Sequence, residues 1–239
     1  MNKYSHDTSY KTYEKWKTWD QSEFGQFNRK EYYYFKKILS DDLTLAKKGN
    51  LSILEIGFGN GSLAGWLRNS FPGVQWTGVE IQESLINKAR KADFQAVSAI
   101  PDKNRKFDLV IAIDVLEHLT DQEISNLFEQ IKLILNPNGK VIARTPNAAG
   151  PFGLPNQTGD PTHTTPISAS RLNAYLNDWT IQEKGDCRPL WEGKFFSYLK
   201  NSLRAAIRLV IDLILRFAFA PQPKTFCASN IHLFFLLRK

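Results

Sequence analysis

The chain has 239 residues, 42% of them apolar and 13% aromatic, enough for one sizeable core and too few for two full-sized domains. Its two cysteines, Cys187 and Cys227, form no C-x-x-C pair, so neither a disulfide framework nor a cysteine zinc site is indicated, and a reducing compartment suits them. The net charge of +7 is uneven: residues 1–50 carry 10 basic and 7 acidic side chains, residues 51–194 carry 14 and 16, and residues 195–239 carry 7 and 1. The middle of the chain is thus slightly acidic, which argues against a nucleic-acid partner in its cleft.

The first residues, MNKYSHDTSYKTYEKWKTWD, lack the apolar run of a secretory signal, so a cytoplasmic location is expected. Residues 1–50 concentrate aromatic side chains: Trp16, Trp19, Phe24, Phe27, Tyr32, Tyr33, Tyr34 and Phe35. These either cap a ligand cleft and exclude water from it or simply pack on the domain that follows, residues 51–239. Between 51 and 145, short apolar runs alternate with helix-patterned segments, the signature of βαβ units and a parallel sheet. Strands are predicted at Leu51–Ile56, Trp76–Ile81, Phe94–Val97, Phe107–Ile113 and Lys140–Arg144, with helices near 62–70, 84–92 and 121–135. The last helix carries a stripe of Ile124, Leu127, Phe128, Ile131, Ile134 and Leu135, and Asn136-Pro-Asn-Gly139 is expected to end it. Residues 146–166, dense in Pro, Gly, Asn and Thr, read as a long loop without an element of its own. A short helix over Ser168–Asn177 follows, then β-rich stretches at Trp179–Arg188 and Ile231–Arg238 separated by a helical insertion at about 195–223.

The segment Glu55-Ile-Gly57-Phe-Gly59-Asn-Gly61 ends the first strand and opens a helix, where glycines let backbone N–H groups approach a ligand closely. Glu80 closes the second strand 19 residues after Gly61, where a carboxylate can accept hydrogen bonds from both ribose hydroxyls of a nucleoside. A nicotinamide dinucleotide site would have a third glycine where this chain has Ser62, so that cofactor is disfavoured.

Together with Asp114-Val-Leu-Glu-His118-Leu, these segments resemble the cofactor motifs of class I S-adenosylmethionine-dependent methyltransferases. The resemblance implies a Rossmann-like α/β fold: a mostly parallel seven-stranded sheet with an antiparallel last strand and helices on both faces. It also implies S-adenosyl-L-methionine as cofactor. Gly57, Phe58, Gly59 and Gly61 would hold its methionine end, Glu80 and Ile81 its ribose, Glu55 its amino group, and Ser98 its adenine, with Asp114 and Val115 beside them. Over more of the chain, Trp19-Asp20, Phe24-Gly25 and Pro151-Phe-Gly-Leu-Pro-Asn-Gln-Thr-Gly-Asp-Pro-Thr-His163 are similar to bacterial methyltransferases associated with cell-surface polysaccharide or O-antigen synthesis. That similarity implies a saccharide or lipid-linked saccharide acceptor; an amine or carboxylate acceptor is the alternative, as is a cofactor-binding protein without activity.

Methylating a hydroxyl requires a base. Of four histidines, His163 is the first candidate, in the long loop at the ligand-binding edge of the sheet, with Asp160 placed to orient it. His118, after the fourth strand, is the second. Glu117 and Asp114 share that rim, but no metal-ligand spacing is evident and no metal is expected.

From 197 to 220 the charges Lys200, Arg204, Arg208, Asp212 and Arg216 recur every four residues, leaving a broad apolar face. The interruption rules out an ordinary spanning helix. The segment reads as an amphipathic helix lying at the inner face of the cytoplasmic membrane, or else packed on its own domain.

Overall fold

The computed structural model describes residues 17, 19, 22–40, 42, 51–185, 188–219 and 228–239. Trp16, Cys187, Cys227 and residues 220–223 of the predicted insertion lie outside them. Strands β1 (Ser52–Ile56), β2 (Gln75–Val79), β3 (Ala96–Val97), β4 (Phe107–Ile113), β5 (Leu135–Pro146), β6 (Trp179–Gly185) and β7 (Ile231–Arg238) form one sheet in the order β3-β2-β1-β4-β5-β7-β6. The pairs from β3 to β5 are parallel, and β7 is antiparallel to both β5 and β6. The antiparallel last strand expected from sequence is therefore present, inserted between two earlier strands.

The helices are α1 (Arg29–Ile38), α2 (Ser62–Ser70), α3 (Glu83–Lys91), α4 (Asp121–Ile134), α5 (Leu154–Gly159), α6 (Ala169–Tyr175) and α7 (Phe195–Phe219). One face of the sheet is covered by α1, α2 and α3 through Phe35, Leu63, Trp66, Leu67, Leu85 and Ala89. The other is covered by α4 and α6 through Ile124, Phe128, Ile131, Ile134 and Leu172. Helix α4 starts on a capping box: the Thr120 hydroxyl accepts from the Glu123 N–H while the Glu123 carboxylate accepts from the Thr120 N–H, an arrangement whose cap contributes about 1 kcal/mol.

One sequence expectation holds here and one changes. Helix α4 ends at Ile134, just before Asn136-Pro-Asn-Gly139 as expected, and that segment lies at a register shift between Leu135 paired to Phe107 and Lys140 paired to Leu109, with Asn136 Nδ2 donating to Asp108 Oδ1 at 2.6 Å. Residues 146–166 are not devoid of elements: a 3₁₀ turn at Pro151–Gly153 runs into α5, whose first turn tolerates Pro155 because its missing N–H would have no helical partner there. The β3 strand is shorter than predicted, starting at Ala96, and β6 is described to Gly185, with residues 186 and 187 of the predicted stretch outside the described residues.

The aromatic N-terminal segment packs against α2. Phe35 and Tyr32 stack on Trp66 with ring centroids 5.7 and 6.3 Å apart, and Lys88 donates to the carbonyls of Trp19 and Ser22. The tightest approach is backbone to backbone: a Cβ on Gly65, inside α2, would lie 1.7 Å from the Gly25 carbonyl oxygen. Gly65→Ala should therefore lower stability by about 1 to 3 kcal/mol, the cost of overpacking, where an unhindered helix position would gain close to 1 kcal/mol. Urea unfolding of the two proteins distinguishes these outcomes.

Candidate active site

Strands β1 and β4 end side by side, with Ile56 opposite Ala112, and the turns leaving them build two walls of one cavity. After β1 the backbone passes through Gly57, Gly59 and Gly61 at φ of 67°, 53° and 74°, a left-handed region costly for side-chain-bearing residues. At Gly61 a Cβ would also sit 2.2 Å from the Phe24 ring. Glu80 ties this turn to the next: its Oε2 accepts from the Gly59 N–H at 3.2 Å, and its Oε1 accepts from the N–H groups of Ile81 and Gln82 at 2.8 and 3.2 Å.

Above these turns lies a cavity of about 950 Å³. Glu55, Gly57, Phe58, Gly59, Glu80 and Ile81 line one side, Ser98 lies beyond β3, and Asp114 and Val115 stand opposite. Of the residues assigned to the cofactor from sequence, only Gly61 stays out of the lining, where it serves the turn into α2. Trp19 and Tyr34 from the N-terminal segment also line the cavity, so part of that segment covers the cleft.

Each acidic group here has a physical anchor. Glu55 is buried and accepts from Trp76 Nε1 at 2.8 Å. Burial, with nearby Glu80 adding to it, pushes its carboxyl up to about 8. Asp114 adopts φ 56° at the end of β4 and pairs with Arg144, whose Nε lies 2.8 Å from Oδ1 and whose Nη2 meets Oδ2. Arg144 in turn lies 5.2 Å from the centre of the Tyr34 ring. Sequence reasoning placed Tyr34 among the aromatics that could cap the cleft but missed Arg144, whose only signal was its position at a strand end.

The second wall carries the histidines. A 3₁₀ turn, Leu116–His118, follows β4, and the Glu117 carbonyl accepts from the N–H groups of both Thr164 and Thr165 at 2.7 and 3.0 Å. This knot brings the loop after β5 onto β4's end, so the rings of His118 and His163 meet edge to face with centroids 4.7 Å apart. His118 lines the cavity, whereas His163 and Asp160 stand behind it, outside the lining. Asp160 does not hydrogen-bond His163, whose Nε2 is 3.7 Å from Oδ2; it accepts instead from the Thr162 hydroxyl at 2.5 Å and the Thr162 N–H at 3.0 Å.

These contacts assign the ring protons. The Thr162 hydroxyl proton is committed to Asp160, so the Thr162 oxygen, 2.9 Å from His118 Nδ1, accepts from an Nδ1–H. His163 Nδ1 likewise donates to the Gln157 carbonyl at 3.1 Å. In the neutral form of either ring, Nε2 is then the nitrogen with the free lone pair. Burial, then the neighbouring His163, lowers the pKa of His118. Glu117 is buried, and neither carboxylate oxygen has a hydrogen-bond partner among the described residues. Burial and then Asp114 hold its pKa well above the ordinary carboxylate range. One ligand-capable atom from each of Glu117, His118 and His163 lies within 4.8 Å of the other two, a proximity that no spacing in the sequence revealed. The two histidines stand 45 positions apart in the chain, which concealed it.

The sheet order, the glycine turn and the acidic residue after β2 define a Rossmann-like domain built to hold a nucleoside. Residues 27–196 match the family model described as a methyltransferase domain, and the chain belongs to that family. Solved structures agree on the fold: a SAM-dependent methyltransferase from Archaeoglobus fulgidus superposes with a TM-score of 0.59 at 21% identity, over 87% of this chain and 94% of that one. The plantazolicin methyltransferase BpumL in complex with SAH gives 0.59 at 16% identity, over 98% and 93%. The PH0226 protein from Pyrococcus horikoshii gives 0.54 at 16%, over 87% and 92%. No curated protein matches the chain in sequence.

The cofactor of such enzymes, S-adenosylmethionine, fits the residues present: an apolar-walled cavity of about 950 Å³ with a close-packed glycine turn at its floor and Glu80 on its rim. When bound it supplies a methyl group on a sulfonium.

The elevated Glu55 pKa has a consequence for the free protein. Between the ordinary value of 4.5 and about 8 the folded state keeps a proton that the unfolded state releases. Stability from this group is therefore highest below pH 4.5 and declines through pH 8, by up to about 1.4 kcal/mol per pH unit. Glu55→Gln keeps an acceptor for Trp76 and should remove that slope, gaining on the wild type most at pH 8 and above. Equal pH profiles of chemical unfolding would show that Glu55 is ionised in the fold.

Proposed function

We propose that this methyltransferase acts on a hydroxyl group, moving the methyl group of S-adenosylmethionine to an oxygen of a saccharide or lipid-linked saccharide. In that reaction the carbon–sulfur bond breaks as a carbon–oxygen bond forms in line with it, and the hydroxyl proton has to leave. Glu55, Glu80 and the glycine turn orient the donor, and the walls around Tyr34 and Arg144 position the acceptor, because most of the acceleration in a displacement of this kind comes from alignment. The observation that carries the hydroxyl reading is the basic Nε2 of His118 in the cavity wall, its ring fixed through Thr162 by Asp160. An amine with a free lone pair needs no such group. The saccharide is supported by the polar mouth of the cavity, where Gln26, Lys30, Glu31, Arg188 and Glu192 offer donors and acceptors, together with the similarity of Pro151–His163 to polysaccharide-associated enzymes.

His118→Ala should slow methylation of a hydroxyl acceptor by about a hundredfold or more while leaving donor affinity nearly unchanged. Glu80→Ala should do the reverse at the donor, weakening its binding by about 1 to 3 kcal/mol. Calorimetry with the demethylated donor and single-turnover rates separate the two effects. A His118→Ala protein with the full rate points to an amine or carboxylate acceptor.

A lipid-linked acceptor would be met at a membrane, and α7 suits such a surface. Its 25 residues leave Phe196, Leu203, Val210 and Phe217 exposed along one side, Phe217 to 95%, with Lys200, Arg204 and Arg208 on the flank. Among the described residues no helix is long and apolar enough to cross a membrane. An exposed apolar face bordered by cations is complementary to an anionic bilayer surface. The protein should sediment with vesicles rich in phosphatidylglycerol and less with neutral ones, and salt should weaken this. Replacing Leu203, Val210 and Phe217 with Ser should abolish sedimentation without lowering the melting temperature, since those side chains already face solvent. A lower melting temperature in the variant, with no vesicle binding by the wild type, identifies α7 as a packing element.

A further inference from the structure

We infer that Glu117, His118 and His163 form a binding site for one divalent first-row transition-metal ion at the acceptor end of the cavity. Two imidazoles and one carboxylate are a set that suits Mn²⁺, Co²⁺ or Zn²⁺ better than the harder Mg²⁺. Their ligand-capable atoms lie within 4.8 Å of one another, and His163 Nε2 stands 3.9 Å from Glu117 Oε1. An ion about 2.0 to 2.2 Å from each ligand holds those atoms roughly 3 to 3.5 Å apart. The widest separation in the trio thus needs to close by roughly 1.3 to 1.8 Å, within reach of side-chain rotation.

Two independent observations point to an ion. The first is the Glu117 carboxyl group, which is fully buried, with no hydrogen-bond partner for either oxygen among the described residues. Burying a carboxylate costs several kcal/mol unless something replaces its hydration, and His163 at 3.9 Å supplies only a distant partner. The second is the orientation of the rings. Metal-bound histidines almost always donate their other N–H to a carbonyl or to a carboxylate-linked group. His163 gives its Nδ1–H to the Gln157 carbonyl, and His118 gives its Nδ1–H to Thr162, which is held by Asp160. Both basic Nε2 atoms are set by contacts that do not involve each other. Asp160 is not counted as a ligand, because its Oδ1 is engaged by Thr162 and its Oδ2 lies 3.8 Å from Lys17 Nζ.

The site's use in catalysis rests on the hydroxyl-acceptor reading: with an ion bound, the His118 Nε2 lone pair is a ligand and no longer a base, and the divalent charge takes over by lowering the pKa of a coordinated hydroxyl, whose proton leaves to water. Binding itself does not depend on that reading, and the experiment keeps the two apart. Chelator-treated full-length protein, with neither donor nor acceptor, is titrated with MnCl₂, ZnCl₂ and MgCl₂ by calorimetry, and with CoCl₂ by visible absorption. The expected result is one equivalent of Mn²⁺, Zn²⁺ and Co²⁺, the cobalt giving d–d bands in the visible, with Mg²⁺ at least tenfold weaker. His163→Ala and Glu117→Gln should each weaken Mn²⁺ and Zn²⁺ at least tenfold, with the fold checked by circular dichroism. His118→Asn, which keeps a polar side chain, serves if either variant fails to fold. No stoichiometric binding by the wild type, or equal binding by all folded variants, overturns the site. If ions bind as expected and no hydroxyl acceptor is methylated, the site stands and the acceptor reading falls. If hydroxyl methylation proceeds at full rate in protein that binds no ion, the site falls and the acceptor reading stands.

Discussion

The acceptor side of the cavity depends on one main-chain oxygen. The Glu117 carbonyl, at the end of β4, accepts from two consecutive N–H groups, those of Thr164 and Thr165. Backbone N–H groups buried in a loop must find a partner or pay the cost of desolvation, and these find it on a strand end already fixed by the sheet. The loop after β5 is thereby pinned at one point. His163, one residue before the knot, and His118, one residue after the carbonyl's own residue, are forced together by it. Asp160 and Thr162 follow, because the same pinned loop carries them to the His118 ring. The cluster is a by-product of one satisfied carbonyl.

The donor side is organised differently, through a side chain. Glu80 spends one oxygen on the glycine turn and the other on the first two N–H groups of the segment that opens α3. Those two N–H groups lie just ahead of the helix, which begins at Glu83, so the carboxyl group fixes the entry of the chain into α3. One carboxylate therefore fixes the spacing between the ends of β1 and β2. The Gly59 N–H is already directed at Glu80 before a ligand arrives, so little rearrangement is required for the turn to receive one. On the opposite wall, Arg144 performs a matching service for Asp114, holding a residue with φ 56° where β4 gives way to the 3₁₀ turn.

What could be read in the sequence was whatever depends on neighbours along the chain. The βαβ alternation, the stripe of α4 and the glycine turn are short-range patterns, each governed by a period or by backbone conformation. Asn136-Pro-Asn-Gly139 shows how far that logic reaches. Its composition ends α4 where expected, but that Leu135 and Lys140 on either side both join β4, across a register shift, depends on a strand distant in sequence. The family motif brought Ser98, Val115 and Ile81 to the cavity wall with the rest. The choice of His163 over His118 rested on its position in a long loop, and the structure reverses their access to the cavity, since which ring faces it is decided by the Glu117 knot. Arg144 was legible only as the last residue of a strand; its partner lies on a different strand, and no spacing rule joins them.

The placement of β7 bears on how the chain comes to exist. Residues 231–238 run between β5 and β6, and among the described residues β7 is the only strand to which β6 is hydrogen-bonded. During synthesis β5, β6 and the 25-residue apolar-faced α7 are all made before the strand that joins them. Until it arrives, β5 presents an open hydrogen-bonding edge and β6 has nothing to pair with. Exposed edges and apolar helices are the features through which unfinished chains associate with one another. The interval between making residue 185 and residue 231 is thus the period in which a nascent chain most needs protection, by a chaperone or by a surface that takes up α7 early.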